Sequence, residues 1–279
     1  MRVYFPHYYT EAHRTEAKVA PLLKAFAALG VDFSDNIRGC TIAFCGSIYS
    51  FKRVKGASIP VVHYNWDLYP HMIEHDKTVD WNGYIEHMKT CAEVIVPSAC
   101  TSRRTQEYCG RPGVIVTAPV QIWDIPQRPA HAPEPKTYAL DVMRPYRWDF
   151  CHKWPEQCAA AVGIPLVSTR TSLPFDEFRW LVANAKVLVS AVYEASTGGM
   201  TLLEGYAHGV PVIVNGSPRH GARDYFGDRA HYFNKATELQ QLLQMELGVH
   251  EDHREWVAGQ HSEAVFAKGI VEVLKRCSI

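Results

Sequence analysis

Residues 193–228 run YEASTGGMTLLEGYAHGVPVIVNGSPRHGARDYFGD, and the rest of the chain is read outward from this stretch. A glutamate, Glu194, leads into a Thr-Gly-Gly turn that opens a short helix carrying a second glutamate, Glu204. On a helix beginning near Gly199, the spacing i, i+3, i+7 puts Thr201, Glu204 and His208 on one face. Leu202, Leu203, Tyr206 and Ala207 cover the other side and suit packing on a sheet. Gly198 and Gly199 let a ligand approach the backbone, and the helix start offers N–H groups to an anion. A phosphate there gains about 0.3–2 kcal/mol from the helix dipole. Carboxylates do not bind phosphate; they accept hydrogen bonds from hydroxyl groups. Phosphate and several hydroxyls read in one place describe a nucleotide sugar. A purely structural reading also fits: a tight strand-to-helix turn followed by a solvated glutamate.

Outward from this stretch, short apolar runs alternate with helical patterns. Strands are expected at RVYF, CTIAFCG, IPVVHYNW, EVIVPS and GVIVTAPV, with helices at TEAHRTEAKVAPLLKAFAALG, VDWNGYIEHMKTCA and SACTSRRTQEYCG. The last of these starts on cap-type residues and closes on glycine. Residues 125–136, IPQRPAHAPEPK, carry four prolines and break every periodicity, as a linker does. Beyond it the alternation restarts with YALDVM, KWPEQCAAAVG, IPLVS, PFDEFRWLVANA and KVLVSAV. Strands alternating with helices imply parallel sheets of right-handed β-α-β units. The expected architecture is α/β: two Rossmann-like domains, 1–124 and 137–257, facing a cleft, with a C-terminal helix at about 258–279 crossing back onto the first. Ligands in such sheets sit beyond the carboxyl ends of the strands.

Composition narrows the function classes. The 279 residues suit two domains at about 150 residues each. Lys+Arg and Asp+Glu balance at 29 each, so no global field draws nucleic acid or an anionic membrane. The eight cysteines form no C-x-x-C pair and several fall in apolar runs, as reduced buried thiols do. The N-terminus lacks the apolar run of a signal peptide, and no segment approaches ~18 apolar residues. A cytoplasmic protein is expected.

The opening stretch resembles the donor-binding signature of retaining GT-B glycosyltransferases, particularly the large family-four group that uses nucleoside-diphosphate sugars. GGMTLLEGYAHGVPVIVNGS follows that signature almost position by position, and LPFDEFRWLVANAKVLVSAVYE is similar to the helix and strand before it. The likeness is good over about residues 137–245 and includes EVIVPSACTSRR and the run ending in TAPV. It implies a GT-B fold and hexosyl transfer to a hydroxyl acceptor with retention of configuration. Neither a cofactor nor a bound metal is implied, because helix N–H groups and cations take the metal's place at the diphosphate.

The resemblance also implies roles for individual residues. Glu204 matches the glutamate that holds the ribose hydroxyls, and Gly198, Gly199, Met200, Thr201 and Leu202 the segment that meets the diphosphate and sugar. The first glutamate departs from the pattern: the family has seven residues between its glutamates, which points to Ser196, whereas nine residues separate Glu194 from Glu204. Glu194 is the preferred residue for the sugar hydroxyls. Cations are needed as charge develops on the leaving diphosphate. VMRPYRWDFCHK supplies Arg144 first, with Arg147 and Lys153 competing for the second place; Arg219, His220 and Arg223 are further candidates for the cleft. His63, read as just past a strand, matches a histidine that the family carries near the donor sugar, beside Asn65, Trp66 and Asp67. The FPHYYTEAHR loop lacks the family's Gly-Gly pair.

The expected partners are a nucleotide-sugar donor and an acceptor that is a glycan, glycolipid or small hydroxylated molecule. A hydroxylated base in nucleic acid remains an alternative, through the basic patches SFKRVKG and TSRRTQ. So do an epimerase or phosphorylase of the same fold and a non-catalytic binding module. The pattern H-x-x-E-H at His71–His75 matches a zinc motif but has no evident third ligand.

Overall fold

The computed structural model describes residues 1–6, 23–46, 51–65, 70–75, 78–142, 151, 153–169, 173–194 and 199–278, apart from the side chains of His71, Met72 and His75. The chain forms two compact units, Met1–Pro119 with His261–Ile279, and Val120–Gln260. The proline-rich stretch 125–136 therefore belongs to the second unit, and the division falls at Pro119 rather than 124. Lys136 N–H donates to Asn184 O (2.7 Å), and the Arg128 guanidinium lies 5.8 Å from the Trp180 ring, which ties the stretch to that unit.

The first unit holds a parallel sheet of β1 (Arg2–Tyr4), β2 (Asp32–Ser34), β3 (Ile42–Cys45), β4 (Val61–Tyr64), β5 (Glu93–Val96) and β6 (Val114–Ile115). Their order is β2-β1-β3-β4-β5-β6. Parallel strands covered on both faces read as continuous apolar runs, and the period of two assigns each residue to a face. Val3, Ile42, Phe44, Val62, Tyr64 and Ile95 pack with Phe266, Ile270, Val271 and Leu274 of the C-terminal helix Glu263–Cys277. Ala43, Cys45, Val94 and Val96 pack on the opposite side with Phe51, Trp81, Tyr84 and Met88. Helix Trp81–Thr90 begins where Asp80 Oδ1 accepts Gly83 N–H (2.9 Å). Helix Ala99–Cys109 is capped by Ser98 Oγ on Thr101 N–H (3.1 Å) and ends on left-handed Gly110.

The second unit holds β7 (Ala139–Asp141), β8 (Leu166–Ser168), β9 (Val187–Ser190), β10 (Val212–Asn215) and β11 (His231–Phe233), all parallel, in the order β11-β10-β9-β7-β8. Ala139, Val187, Val189, Ile213 and Phe233 pack with Cys158 and Ala159 of helix Trp154–Val162 and Leu239 and Leu243 of helix Ala236–Gln244. The eight cysteines, all among the described residues, are thiols rather than disulfides, and all but Cys277 are buried. Among the described residues no helix is long and apolar enough to cross a membrane.

His261, where the chain re-enters the first unit, is buried, and desolvation drives its imidazole down to about 4 against a hydrogen bond with the Ala118 backbone. The unfolded chain takes up this proton at an ordinary value near 6.5 while the folded chain stays neutral. Between these values the unfolded state binds more protons, so stability is lost as pH falls from 6.5 towards 4. The slope is at most about 1.4 kcal/mol per pH unit. His261→Gln is expected to flatten the dependence of the unfolding midpoint on pH between 6.5 and 5, read by thermal melts. Parallel curves for the two proteins would refute this role.

Candidate functional site

Three neighbouring strands of the second unit, β7, β9 and β10, each end on a polar residue: Asp141, Ser190 and Asn215. All three are buried. The other buried polar residues of this unit, among those described, are Glu194, Glu204, Ser217 and His220, which lie in the segments following β9 and β10. The polar interior is thus collected at the carboxyl ends of the sheet. The chain runs from β7 to β8 on one side and returns to β9 on the other, so β7 and β9 flank the switch point where open parallel sheets bind ligands.

Hydrogen bonds fix these loops to one another. Asn215 Oδ1 accepts Ser217 N–H (2.9 Å), while its Nδ2 donates to Ala191 O (3.4 Å) and to Cys151 Sγ (3.5 Å). Ser217 Oγ accepts Arg219 N–H (3.1 Å). Arg219 Nη1 then reaches back to Glu194 Oε1 at 3.0 Å. The Glu194 side chain is 4% exposed and that of Arg219 is 52% exposed. A buried carboxylate needs such a partner, since an unpaired buried charge is expensive. Arg223 lies over the Tyr232 ring, 4.2 Å from its centroid.

The helix Met200–Ala207 opens at the same end of the sheet. Gly199 caps it at φ 99°, a conformation that a side chain resists. The first turn carries no acidic residue, so the N-terminal partial charge is not offset there. Met200 is exposed and Thr201 half-buried, whereas Glu204, one turn on, is buried. Gly205 brings the helix onto the sheet: a Cβ there would stand 2.2 Å from Leu188 Cδ1 of β9.

The structure therefore brings together Glu194, Gly199, Met200, Thr201 and Glu204 of the expected set, with Arg219 beside them. Lys153 lies just before helix Trp154–Val162 and is exposed. Arg144, Arg147, Gly198 and Ser196, like Trp66 and Asp67, lie outside the described residues. Two expectations need correction. Leu202 is fully buried and its N–H donates to Gly199 O (3.1 Å), so it presents neither side chain nor amide to a ligand. His63 is not past a strand but is the third residue of β4, registered against Cys45 and Val94. Its side chain is fully buried on the sheet face covered by helix Trp81–Thr90, where Tyr84 Oη lies 2.8 Å from Nε2. A ring so placed does not reach a substrate. His208, on the helix face shared with Glu204 by spacing, terminates the far end of that helix against Trp123.

No protein-family model matches the sequence, and no curated protein matches it. Solved structures do. Sucrose-phosphate synthase from Thermosynechococcus elongatus superposes with TM-score 0.72 at 13% identity, over 99% of this chain and 98% of that one. HepE from Anabaena, in complex with UDP and glucose, gives 0.67 at 11% identity, over 99% and 100% of the chains. A glycosyltransferase from Rickettsia africae gives 0.65 at 12% identity, over 99% and 98%. The chain has the GT-B fold.

The contact at Gly205 sets the height of the helix above β9. Gly205→Val is expected to destabilise the protein by about 1–3 kcal/mol through overpacking. Leu188→Ala in the same chain opens space for the new side chain. The double variant should be less destabilised than the sum of the single ones by denaturant titration. Additive losses would mean that the two residues do not share this contact.

Proposed function

We propose that the chain is a glycosyltransferase that moves a hexosyl group from a nucleoside-diphosphate sugar to a hydroxyl acceptor, with retention of anomeric configuration and without a catalytic metal. The observation that carries this reading is the helix opening at Gly199, with Glu204 one turn inside it, beside the carboxyl ends of β7 and β9. The fold supports it too, and among its neighbours HepE was solved with UDP and glucose.

In this reading Gly198, Gly199, Met200 and Thr201 meet the diphosphate through their backbone, and Glu204 accepts hydrogen bonds from the ribose hydroxyls. Glu194, oriented by Arg219, receives the sugar hydroxyls. Arg144 and a partner, Arg147 or Lys153, meet the charge that grows on the diphosphate as the bond to the sugar breaks. The bond forming is from the acceptor oxygen to the anomeric carbon. The bond breaking is from that carbon to the diphosphate oxygen, on the same face, with the acceptor proton passing to the leaving oxygen. The acceptor is a glycan, a glycolipid or a small hydroxylated molecule.

Glu204→Ala leaves ribose hydroxyls unpaired in a closed site, so donor affinity should fall by about 1–3 kcal/mol. Calorimetry with the nucleoside-diphosphate sugar that most raises the melting temperature measures it, and unchanged affinity would exclude the ribose role.

The cations act on rate more than on binding, because their help grows toward the transition state. Arg144→Ala and Lys153→Ala should lower turnover by roughly 10²–10³-fold with a smaller change in donor affinity. Added Mg²⁺ or Mn²⁺ should leave turnover of the unaltered protein unchanged. Full activity in both variants would remove this pair, and stimulation by either ion would put a metal at the diphosphate.

A further inference from the structure

The first unit buries a cluster that the sugar-transfer reading does not use. Parallel register sets Cys45, the last residue of β3, beside His63 of β4. Helix Trp81–Thr90 presents Tyr84 and His87 to the same sheet face, and Cys91 follows at its C-terminal cap. One ligand atom each from Cys45, His63 and His87 lies within 4.8 Å of the others, and all three residues are buried. Cys91 Sγ lies 3.4 Å from His87 Nε2.

The hydrogen bonds behind His63 fix its tautomer. Thr105 donates its hydroxyl to Thr101 O (2.8 Å), so it accepts from Asn65 Nδ2 (3.1 Å). That orientation turns Asn65 Oδ1 towards Tyr84, whose hydroxyl donates to it at 3.1 Å. With its one proton so used, the Tyr84 oxygen accepts from His63 Nε2–H at 2.8 Å. His63 Nδ1 is then a bare lone pair, fully buried and without a hydrogen-bond partner among the described residues. A ligating histidine whose other ring N–H is anchored in this way is the usual arrangement around a protein-bound metal.

We propose that Cys45, His63 and His87 form a buried site for a metal ion of the zinc class, and that Cys91, which lies against His87 but outside this group of three, turns its thiol inward to become the fourth ligand when the ion binds. Thiolate and imidazole donors suit zinc, whose tetrahedral shell holds ligand atoms about 3.3–3.8 Å apart. Two thiolates balance the charge of Zn²⁺, which lets the ion sit in an apolar layer. Binding is balanced by release of the Cys45 and Cys91 thiol protons to solvent, while both histidines bind in the neutral form. A cavity of about 480 Å³ lined by Lys55, Val61, Thr90 and Ala92 reaches His87 and Cys91 and supplies the way in.

The test uses the full-length, tag-free chain, stripped of metal and titrated with Co²⁺ and Zn²⁺. We expect one equivalent of Co²⁺ with a thiolate charge-transfer band and tetrahedral d–d bands, and two protons released per Zn²⁺ bound. Cys45→Ser and Cys91→Ser should each lose thiolate intensity and weaken binding. Tyr84→Phe, which keeps the ring but removes the anchor on His63, should cost about 10–100-fold in affinity. Cys158→Ser, a buried thiol of the other unit, and the double variant His71→Gln/His75→Gln should bind as the unaltered chain does. Circular dichroism checks folding, and if Cys45→Ser does not fold, Cys91→Ser and Tyr84→Phe decide the matter. The proposal is overturned if the chain takes up neither ion. It is equally overturned if folded cysteine variants bind with unchanged affinity and spectrum, or if the site is lost with His71 and His75.

Discussion

A parallel strand covered on both faces has one place to put a polar side chain without desolvating it among apolar neighbours, and that place is its end. The rest of the second unit depends on this constraint. β7, β9 and β10 are apolar until their last residues, Asp141, Ser190 and Asn215. The loops that leave them continue in the same chemistry. Asn215 bonds to the segments after β7 and β9, and Arg219 closes onto Glu194. Each neutral bond adds only about 0.5–1.5 kcal/mol net. Their joint effect is to hold three chain segments at one end of the sheet in a single arrangement.

The helix Met200–Ala207 serves this end because its own two sides differ. Leu202, Leu203 and Tyr206 are fully buried, and Gly205 allows the backbone to lie directly on Leu188. That close approach leaves the first turn of the helix beside the strand ends. The same helix thus packs the sheet through Leu202, Leu203 and Tyr206, and the burial of Glu204 departs from the purely structural reading, which made that glutamate a solvated residue.

Much of this was legible in the sequence, for physical reasons that also mark where legibility stops. Alternating strands and helices carry strong periodicity, and the caps at Ser98 and Gly110 are local chemistry, so these elements could be placed. β2 and β11 escaped because DFS and HYF are three-residue edge strands with polar members, too short for a pattern. Prolines at 125–136 announce a break in periodicity, but which unit the break belongs to is decided by long-range contacts to Asn184 and Trp180. His63 was misplaced because a strand's end is invisible in VVHYNW, where apolar and aromatic residues continue past it. The departure in glutamate spacing also could not be interpreted locally: the partner of Glu194 lies 25 residues away.

That partner couples two roles which sequence comparison treats as separate. The Glu194 side chain is nearly inaccessible, while Arg219 is half exposed and carries its charge at the mouth of the loops. Two residues in direct contact do not contribute additively. The 3.0 Å bond between them joins a buried carboxylate to a half-exposed cation at this end of the sheet. The first unit answers the same constraint differently. There His63 sits inside a strand, with one nitrogen anchored through Tyr84, Asn65 and Thr105 and the other left bare. At the strand ends of the second unit the buried polar groups bind one another, whereas this imidazole keeps a lone pair that no hydrogen bond among the described residues satisfies.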